Sequence, residues 1–314
     1  MASEVIDIRR FEAGDFTRLL EAEERTWGDA LRWDYGPSAR VIAACLADKR
    51  LTGYALVNQG RIEGYSFFVC EDDKGLIGDF FVLPDGAAGE ASRLLEYLLE
   101  TLLATPGVRR VEAQIPHFPV EQLEPCFLRY GFKTYLRRFM VVDLSSHQAG
   151  ETRPSGGPFS FEPWQRKHDR QVAQLLWHTY RGHVDAVIND QYSSVGGASR
   201  LLENITELHG CGELLTGPSQ VAIHHPTGKL AGLLVMTAVR PGTAHIPQVA
   251  VGREFQAQGL GTTLLAMAFR EAKGQGYREV SLTVTDLNRG AVRLYERLGF
   301  KTLRLFGAFV WDER

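Results

Sequence analysis

Apolar residues recur along this chain with two periods. Alternating or continuously apolar runs such as Phe159-Ser160-Phe161 and Leu230 to Val239 predict strands, whereas Leu260, Leu264, Leu265, Ala268 and Ala272 recur at helical spacing and predict a helix over 261–273. The second half of the chain thus reads strand 159–161, helix 169–180, and a loop-rich stretch with a helix over 198–208. Strands at 219–224, 230–239 and 245–251 follow, then the 261–273 helix, a strand at 279–285, a helix at 289–298 and a last strand near 306–311. Strands in front and strand-helix alternation behind predict a mixed α/β sheet.

The first half repeats the second. Gly131-Phe132-Lys133-Thr134 returns as Gly299-Phe300-Lys301-Thr302 and Gly64 as Gly232, both at a shift of 168, while Gly107 and Val111 map on Gly276 and Val280 at 169. One register kept over that length, with a single-residue indel, marks a tandem duplication. The polar, Gly- and Pro-rich stretch Leu144 to Pro158 predicts an exposed linker, so the expected domains are 1–143 and 159–314, joined by 144–158. Ile6-Asp7-Ile8 opens the first copy and Phe159-Ser160-Phe161 the second at a shift of only 153, so the second carries about fifteen extra residues ahead of Gly232.

Composition narrows the function. With 314 residues and 44% hydrophobic positions each copy can bury a core. Thirty-five Lys and Arg against 38 Asp and Glu leave a net charge of -3 and no basic field for phosphate backbones, which argues against nucleic acid as partner. No apolar run approaches the roughly 20 residues that span a bilayer, and the N-terminus lacks a basic leader, so no membrane is expected and a cytoplasmic location is. Cys45, Cys70, Cys126 and Cys211 form no CxxC pair, predicting no metal site and four reduced, small core residues.

Chemistry concentrates in the second copy. Val249-Ala250-Val251-Gly252-Arg253-Glu254-Phe255-Gln256-Ala257-Gln258-Gly259-Leu260-Gly261 ends a strand, turns on glycine and opens a helix. Unshielded N–H groups at a helix start, with the positive end of the macrodipole, favour a phosphate or pyrophosphate. Twenty-nine residues beyond Gly259 comes Asn288-Arg289-Gly290-Ala291-Val292-Arg293-Leu294-Tyr295-Glu296-Arg297-Leu298-Gly299-Phe300. Gln-x-x-Gly-x-Gly followed by Asn-x-x-Ala-x-x-Leu-Tyr-x-x-x-Gly-Phe resembles the GNAT superfamily of acyl-CoA-dependent N-acyltransferases, over Phe159 to Trp311 directly and over the first copy through the repeat. The two-copy architecture also resembles that of the mycothiol synthases, with no motif that fixes their substrate.

The resemblance implies two tandem domains, each a mixed, mostly antiparallel sheet flanked by helices, with acetyl-CoA or another acyl-CoA as co-substrate. It implies that Gln256, Ala257, Gln258, Gly259, Leu260 and Gly261 form the pyrophosphate loop. Val249 and Val251 fall on the strand that pairs with pantetheine, Asn288 reaches the cofactor arm, and Tyr295 donates a proton to the departing thiolate. The last role is chemically intelligible, since a thiolate of pKa near 8.5 leaves more easily beside a donor of pKa near 10. By spacing alone Tyr295 also reads as a core aromatic beside Ala291, Leu294 and Leu298, Asn288 as a helix cap, and Gln256 as a solvated loop residue. His245 stands where some family members carry a Glu and is the candidate base, with His178, His183 and Tyr192 behind it and a core histidine as the other reading.

In the first copy the cradle positions fall on Ala87, Glu90 and Ser92, and Asn288 and Tyr295 fall on Val120 and Phe127, so the chemical groups are missing and a structural or substrate-shaping role is expected. The expected activity is acetyl transfer to a small-molecule or peptide primary amine by direct attack in a ternary complex. The alternative is a noncatalytic acyl-CoA-binding or sensing protein. In the inserted stretch, Asp185, Asn189, Asp190, Gln191 and Tyr192 either face a cationic amine or form a solvated loop.

Overall fold

A computed structural model describes residues 3–84, 89–145, 157–208 and 210–313. Two compact units emerge, one of Met1–Arg137 with Arg304–Arg314, the other of Arg138–Leu303. Each contains a mixed, mostly antiparallel sheet flanked by helices, as the repeat predicts.

Unit 1 runs β1 (Glu4–Asp7), α1 (Thr17–Leu31), α2 (Gly36–Ala47), β2 (Thr52–Asn58), β3 (Arg61–Glu71), β4 (Lys74–Val82), α3 (Glu90–Leu103), β5 (Arg110–Gln114), α4 (Val120–Arg129) and the start of β6 (Lys133–Asp143). Strands β1 to β4 pair antiparallel in sequence order, and β4 meets β5 in parallel over Lys74–Leu76. Leu94, Leu95, Leu98, Leu99 and Leu102 line one face of α3 and are buried against Phe80, Val111 and Phe127. This is the narrow apolar stripe of an amphipathic helix laid on a sheet.

Unit 2 repeats the plan with β7 (Phe159–Pro163), α5 (Asp169–Tyr180), α6 (Val184–Ile188), α7 (Val195–Thr206), β8 (Glu213–Leu214), β9 (Gln220–His224), β10 (Lys229–Arg240), β11 (Thr243–Val251), α8 (Leu260–Gly274), β12 (Glu279–Thr285), α9 (Arg289–Arg297) and the start of β13 (Lys301–Asp312). Fewer than half of the extra residues of the second copy fall ahead of α7, where α6 and the short turn Asp190–Ser193 stand, and the rest fall between α7 and β9, where β8 stands. Matched glycines explain part of the repeat. A Cβ on Gly64 would lie 3.0 Å from the Phe81 carbonyl, and one on Gly232 would lie 3.1 Å from that of Ala250, so strand crossing is tight in both units.

The division of the chain differs from 1–143 and 159–314 at both ends. Met140, Val142 and Leu144 are buried in the core of unit 2, and the Leu144 amide donates to the Arg278 carbonyl at 2.7 Å. Leu144 is therefore a core residue rather than the first of a linker; of that stretch, 146–156 lie outside the described residues. Conversely, Ala308–Asp312 pair antiparallel with β5 of unit 1, where Phe309 stacks on Phe127 with centroids 3.8 Å apart. The last strand of each copy is thus divided, its second part joining the other unit. A register of near-equal apolar strands leaves that choice open in the sequence, because either partner buries the same face.

The cysteine expectation needs one correction. All four are free, but Cys70, at the end of β3, is exposed and only Cys126 is fully buried. Among the described residues no helix is long and apolar enough to cross a membrane.

Candidate active site

The site begins where two neighbouring strands separate. β11 pairs in parallel with β12 only over Thr243–Ile246, while β11 itself continues to Val251 and β12 to Thr285. Pro247 follows the last pair and has no N–H to offer a ladder, and the pairing of β11 with β10 shifts register at the same place. Beyond it Gln248 and Ala250 are buried, whereas Val249 and Val251 are half-buried and point to the opposite face.

After β11 the chain makes the expected turn. Gln256 folds back so that its side-chain amide donates to the Val251 carbonyl at 3.0 Å. Ala257 (φ 59°) and Gly259 (φ 79°) both adopt left-handed backbone on either side of Gln258, and Gly259 caps α8. Left-handed residues alternating with an ordinary one in this way turn N–H groups toward one point. No side chain caps α8, and its first turn carries no acidic residue. Leu260 is buried and anchors the helix start, whereas Gln256, Ala257, Gln258 and Gly259 are exposed. A Cβ added to Gly261 would make ordinary contacts with Val251 at 3.6 Å and Leu294 at 3.9 Å, so the helix start lies between β11 and α9.

Asn288 caps α9 through its side-chain oxygen, which accepts from the Ala291 amide at 3.2 Å. Its amide NH2 is not used by the cap. Tyr295, one turn from the end of α9, is buried beside Phe300, ring edge to ring face at 5.7 Å. Burial first, then Tyr180 and the charge of Asp185, push the Tyr295 hydroxyl well above the ordinary tyrosine range. It therefore keeps its proton throughout neutral pH, which a proton donor requires.

The inserted elements complete the opening. Tyr180 of α5 and Tyr192 stack at 4.0 Å, and a relay runs from the Tyr192 hydroxyl to Gln248 at 2.8 Å and from Gln248 to the Tyr180 oxygen at 2.9 Å. Thr285, buried at the end of β12, donates to Asp185 of α6. His183 caps α6 by accepting from the Asp185 amide at 3.2 Å. Asn189 and Gln191 bond chiefly to one another. Asp185 and Tyr192, noted in the sequence, do come to the opening; Tyr180, Gln248 and Thr285 went unnoticed. Their signal was the alternation of Gln248 with Val249 on a strand already predicted.

His245 is corrected by its surroundings. Its ring stacks 6.0 Å from Phe139, nearly parallel, and its Nδ1 shares a 2.9 Å hydrogen bond with the Ser281 hydroxyl. Burial pushes its pKa down to about 3, so it stays neutral and is a feeble proton acceptor near neutrality. The core-histidine reading fits this ring. His178 sits against Trp177 at 4.5 Å.

Residues 158–300 match the family described as the acetyltransferase (GNAT) family. The second half of this chain is a GNAT acetyltransferase domain. A 58-residue stretch is 41% identical to an uncharacterized N-acetyltransferase of Methanocaldococcus jannaschii, covering 18% of this chain and 26% of that relative. Among solved structures, a tandem GNAT protein from the clavulanic acid biosynthesis pathway aligns over 99% of this chain and 98% of its own at a TM-score of 0.61 and 16% identity. A GCN5-related N-acetyltransferase from Sphaerobacter thermophilus aligns over 99% and 95% at 0.66, again at 16%. At that identity the likeness shows fold: two tandem GNAT-like domains.

Proposed function

We propose that unit 2 is an acetyl-CoA-dependent N-acetyltransferase that moves the acyl group directly to a primary amine. The GNAT domain makes acyl-CoA the co-substrate class, and the residues present suit it. The uncapped helix start at Gly259–Gly261 offers amide donors to a pyrophosphate, and the backbone of Val249 and Val251, past the last β12 pair, is free to bond an extended amide chain. Asn288 offers its amide NH2 at the same edge. Acetyl-CoA supplies the activated acyl carbon and a sulfur leaving group.

The observation that supports turnover over mere binding is the buried, protonated Tyr295 hydroxyl, whose electrostatic neighbours are Tyr180 and Asp185. In this reading Asp185 takes the first proton that an ammonium must lose, and the amine's lone pair forms the new C–N bond. As the C–S bond breaks, Tyr295 hands its proton to the sulfur, Asp185 restores the phenol, and the second N–H proton goes to solvent. Tyr180, Tyr192 and Gln248 form the polar, aromatic wall of the acceptor side.

A thiol-release assay over a panel of primary amines tests this reading. Acetyl-CoA turnover with at least one amine, lost in Tyr295→Phe with cofactor affinity kept, is the expected result. Tight acetyl-CoA binding with no thiol released by any amine would favour the noncatalytic alternative.

A further inference from the structure

Unit 1 contains a buried polar cluster that transfer in unit 2 does not use. Glu23 of α1 and Asp79 of β4 are both buried and share a side-chain hydrogen bond, and their other partners are hydroxyl and N–H groups. Tyr65 lies 2.6 Å from Glu23 Oε2 and 2.7 Å from Asp79 Oδ2, Tyr35 donates to Asp79 Oδ2, the Phe80 amide donates to Asp79 Oδ1 at 2.7 Å, and Trp27 Nε1 reaches Glu23 Oε1 at 3.4 Å. Tyr65 has a single hydroxyl hydrogen for two carboxyl oxygens, so one of these contacts requires a hydrogen carried by a carboxyl group. Burial and the neighbouring Asp79 charge hold the Glu23 carboxyl well above its usual range, which makes Glu23 the protonated partner. One negative charge remains, on Asp79, and neither carboxyl has an ion pair among the described residues.

The rest of the cluster sets a bare acceptor beside one cation. His117 is 7% exposed, and its Nε2 lies 2.8 Å from the Phe80 carbonyl, so Nε2 carries the hydrogen and Nδ1 is a bare acceptor. That Nδ1 is buried and has no hydrogen-bond partner. Arg304 donates to the His117 carbonyl at 2.6 Å rather than to a carboxylate, and its own Nε is buried without a hydrogen-bond partner. Around these groups stand aromatic faces: Trp27 stacks on Tyr35 at 4.8 Å and 11°, with the His117 ring 5.6 Å from Trp27 and 5.8 Å from Phe81. Trp27 is only partly buried and forms the solvent side.

Asp79 has no ion pair among the described residues, the His117 acceptor is orphaned and an aromatic wall stands beside them, and Arg304 bonds a carbonyl instead of either group; a small cationic N–H donor would serve all three. An anion meets repulsion here, and an alcohol leaves the charge unmatched. We propose that unit 1 is a binding site for a small primary ammonium, held by Asp79 and His117 Nδ1 against the Trp27–Tyr35 wall. Repeat shifts of 153 and 169 place Trp27 and Asp79 opposite Tyr180 and Gln248 of unit 2. The first copy thus keeps an amine-shaped counterpart of the acceptor side while its own cradle is gone. The proposal does not depend on catalysis in unit 2.

Calorimetric titration of the full chain with benzylammonium chloride tests it. Wild type should bind one equivalent that Asp79→Asn weakens at least about tenfold, through loss of the counter-charge. Glu23→Gln mimics the protonated acid and should keep affinity within about threefold. Because these variants leave unit 2 untouched, any equivalent bound by its acceptor side persists in both, and acetyl-CoA affinity stays the same. Should Asp79→Asn fail to fold, Trp27→Leu at the partly exposed wall serves instead, with an expected loss of about fivefold. No saturable equivalent in wild type, or one that a folded Asp79→Asn or Trp27→Leu protein binds equally well, would overturn the proposal.

Discussion

The two units share a frame and differ in a handful of side chains at its edge. In both, the strand before the long helix pairs briefly in parallel with its neighbour and then leaves it, at Leu76 in unit 1 and Ile246 in unit 2. In both, a left-handed glycine starts that helix, Gly89 (φ 100°) for α3 and Gly259 (φ 79°) for α8. The residues just past that glycine separate them. Unit 1 places Glu90 in the first turn, its carboxylate bonded to Ser3, so the positive end of that helix already faces a negative charge. Unit 2 places Leu260 and Gly261 there. Equally, Pro119 rather than an asparagine caps α4, and Phe127 packs flat on Phe309 where Tyr295 keeps a hydroxyl. Glycines and apolar positions are shared by the two copies, and a few polar ones at the edge of the frame separate them.

The division of labour between the units is open to direct attack. The strongest perturbation is structural: Phe309→Ala removes a buried ring from the core of unit 1 and should cost about 3–5 kcal/mol in chemical denaturation, while acetyl-CoA affinity in unit 2 stays put. Loss of affinity of similar size would show that the units are energetically coupled. Gly261→Glu puts a carboxylate into the first turn of α8, where unit 1 has Glu90 in the first turn of α3. Its Cβ fits at 3.6 Å from Val251 and its φ is ordinary, so melting should hardly move, yet a carboxylate at the helix start should weaken acetyl-CoA at least about a hundredfold. Tyr295→Phe copies Phe127 and should lower turnover by about a hundredfold with little change in cofactor affinity or stability. Normal turnover would remove the proton-donor role.

The last effect concerns pH and is spread over several pH units. Burial lowers the His245 pKa to about 3, against 6.5 for an exposed ring, so below pH 6.5 the unfolded chain takes up a proton that the folded one refuses. The stability that this ring contributes is present above pH 6.5 and falls by about 1.4 kcal/mol per unit as the pH drops toward 3. His245→Phe should flatten that slope and leave the acidic limb of the rate profile in place. A limb that vanishes would return His245 to the chemistry.

Much of this was legible from residues alone. The helix over 261–273 is observed at Leu260–Gly274 and the strand at 279–285 is observed unchanged, because both carry strong periodicity. The left-handed turn from Gln256 to Gly261 was legible because glycine spacing encodes backbone shape. The register in the first copy was one residue off: Gly89, not Glu90, stands opposite Gly259, and Ala87 lies outside the described residues. Single-residue indels in a turn leave no hydrophobic pattern to count. The acceptor side was only half visible, since Tyr180, Gln248 and Thr285 come from three elements that nothing in linear spacing brings together. His245 misled for the opposite reason, its position being suggestive and its burial invisible.

If the cradle of unit 2 is intact and that of unit 1 is gone, one unit alone holds acyl-CoA. Calorimetric titration of the intact chain with acetyl-CoA decides this without reference to any amine substrate. One molar equivalent, abolished by Gly261→Glu, is the predicted result; two equivalents of similar affinity, or one that survives Gly261→Glu in a folded protein, would contradict it.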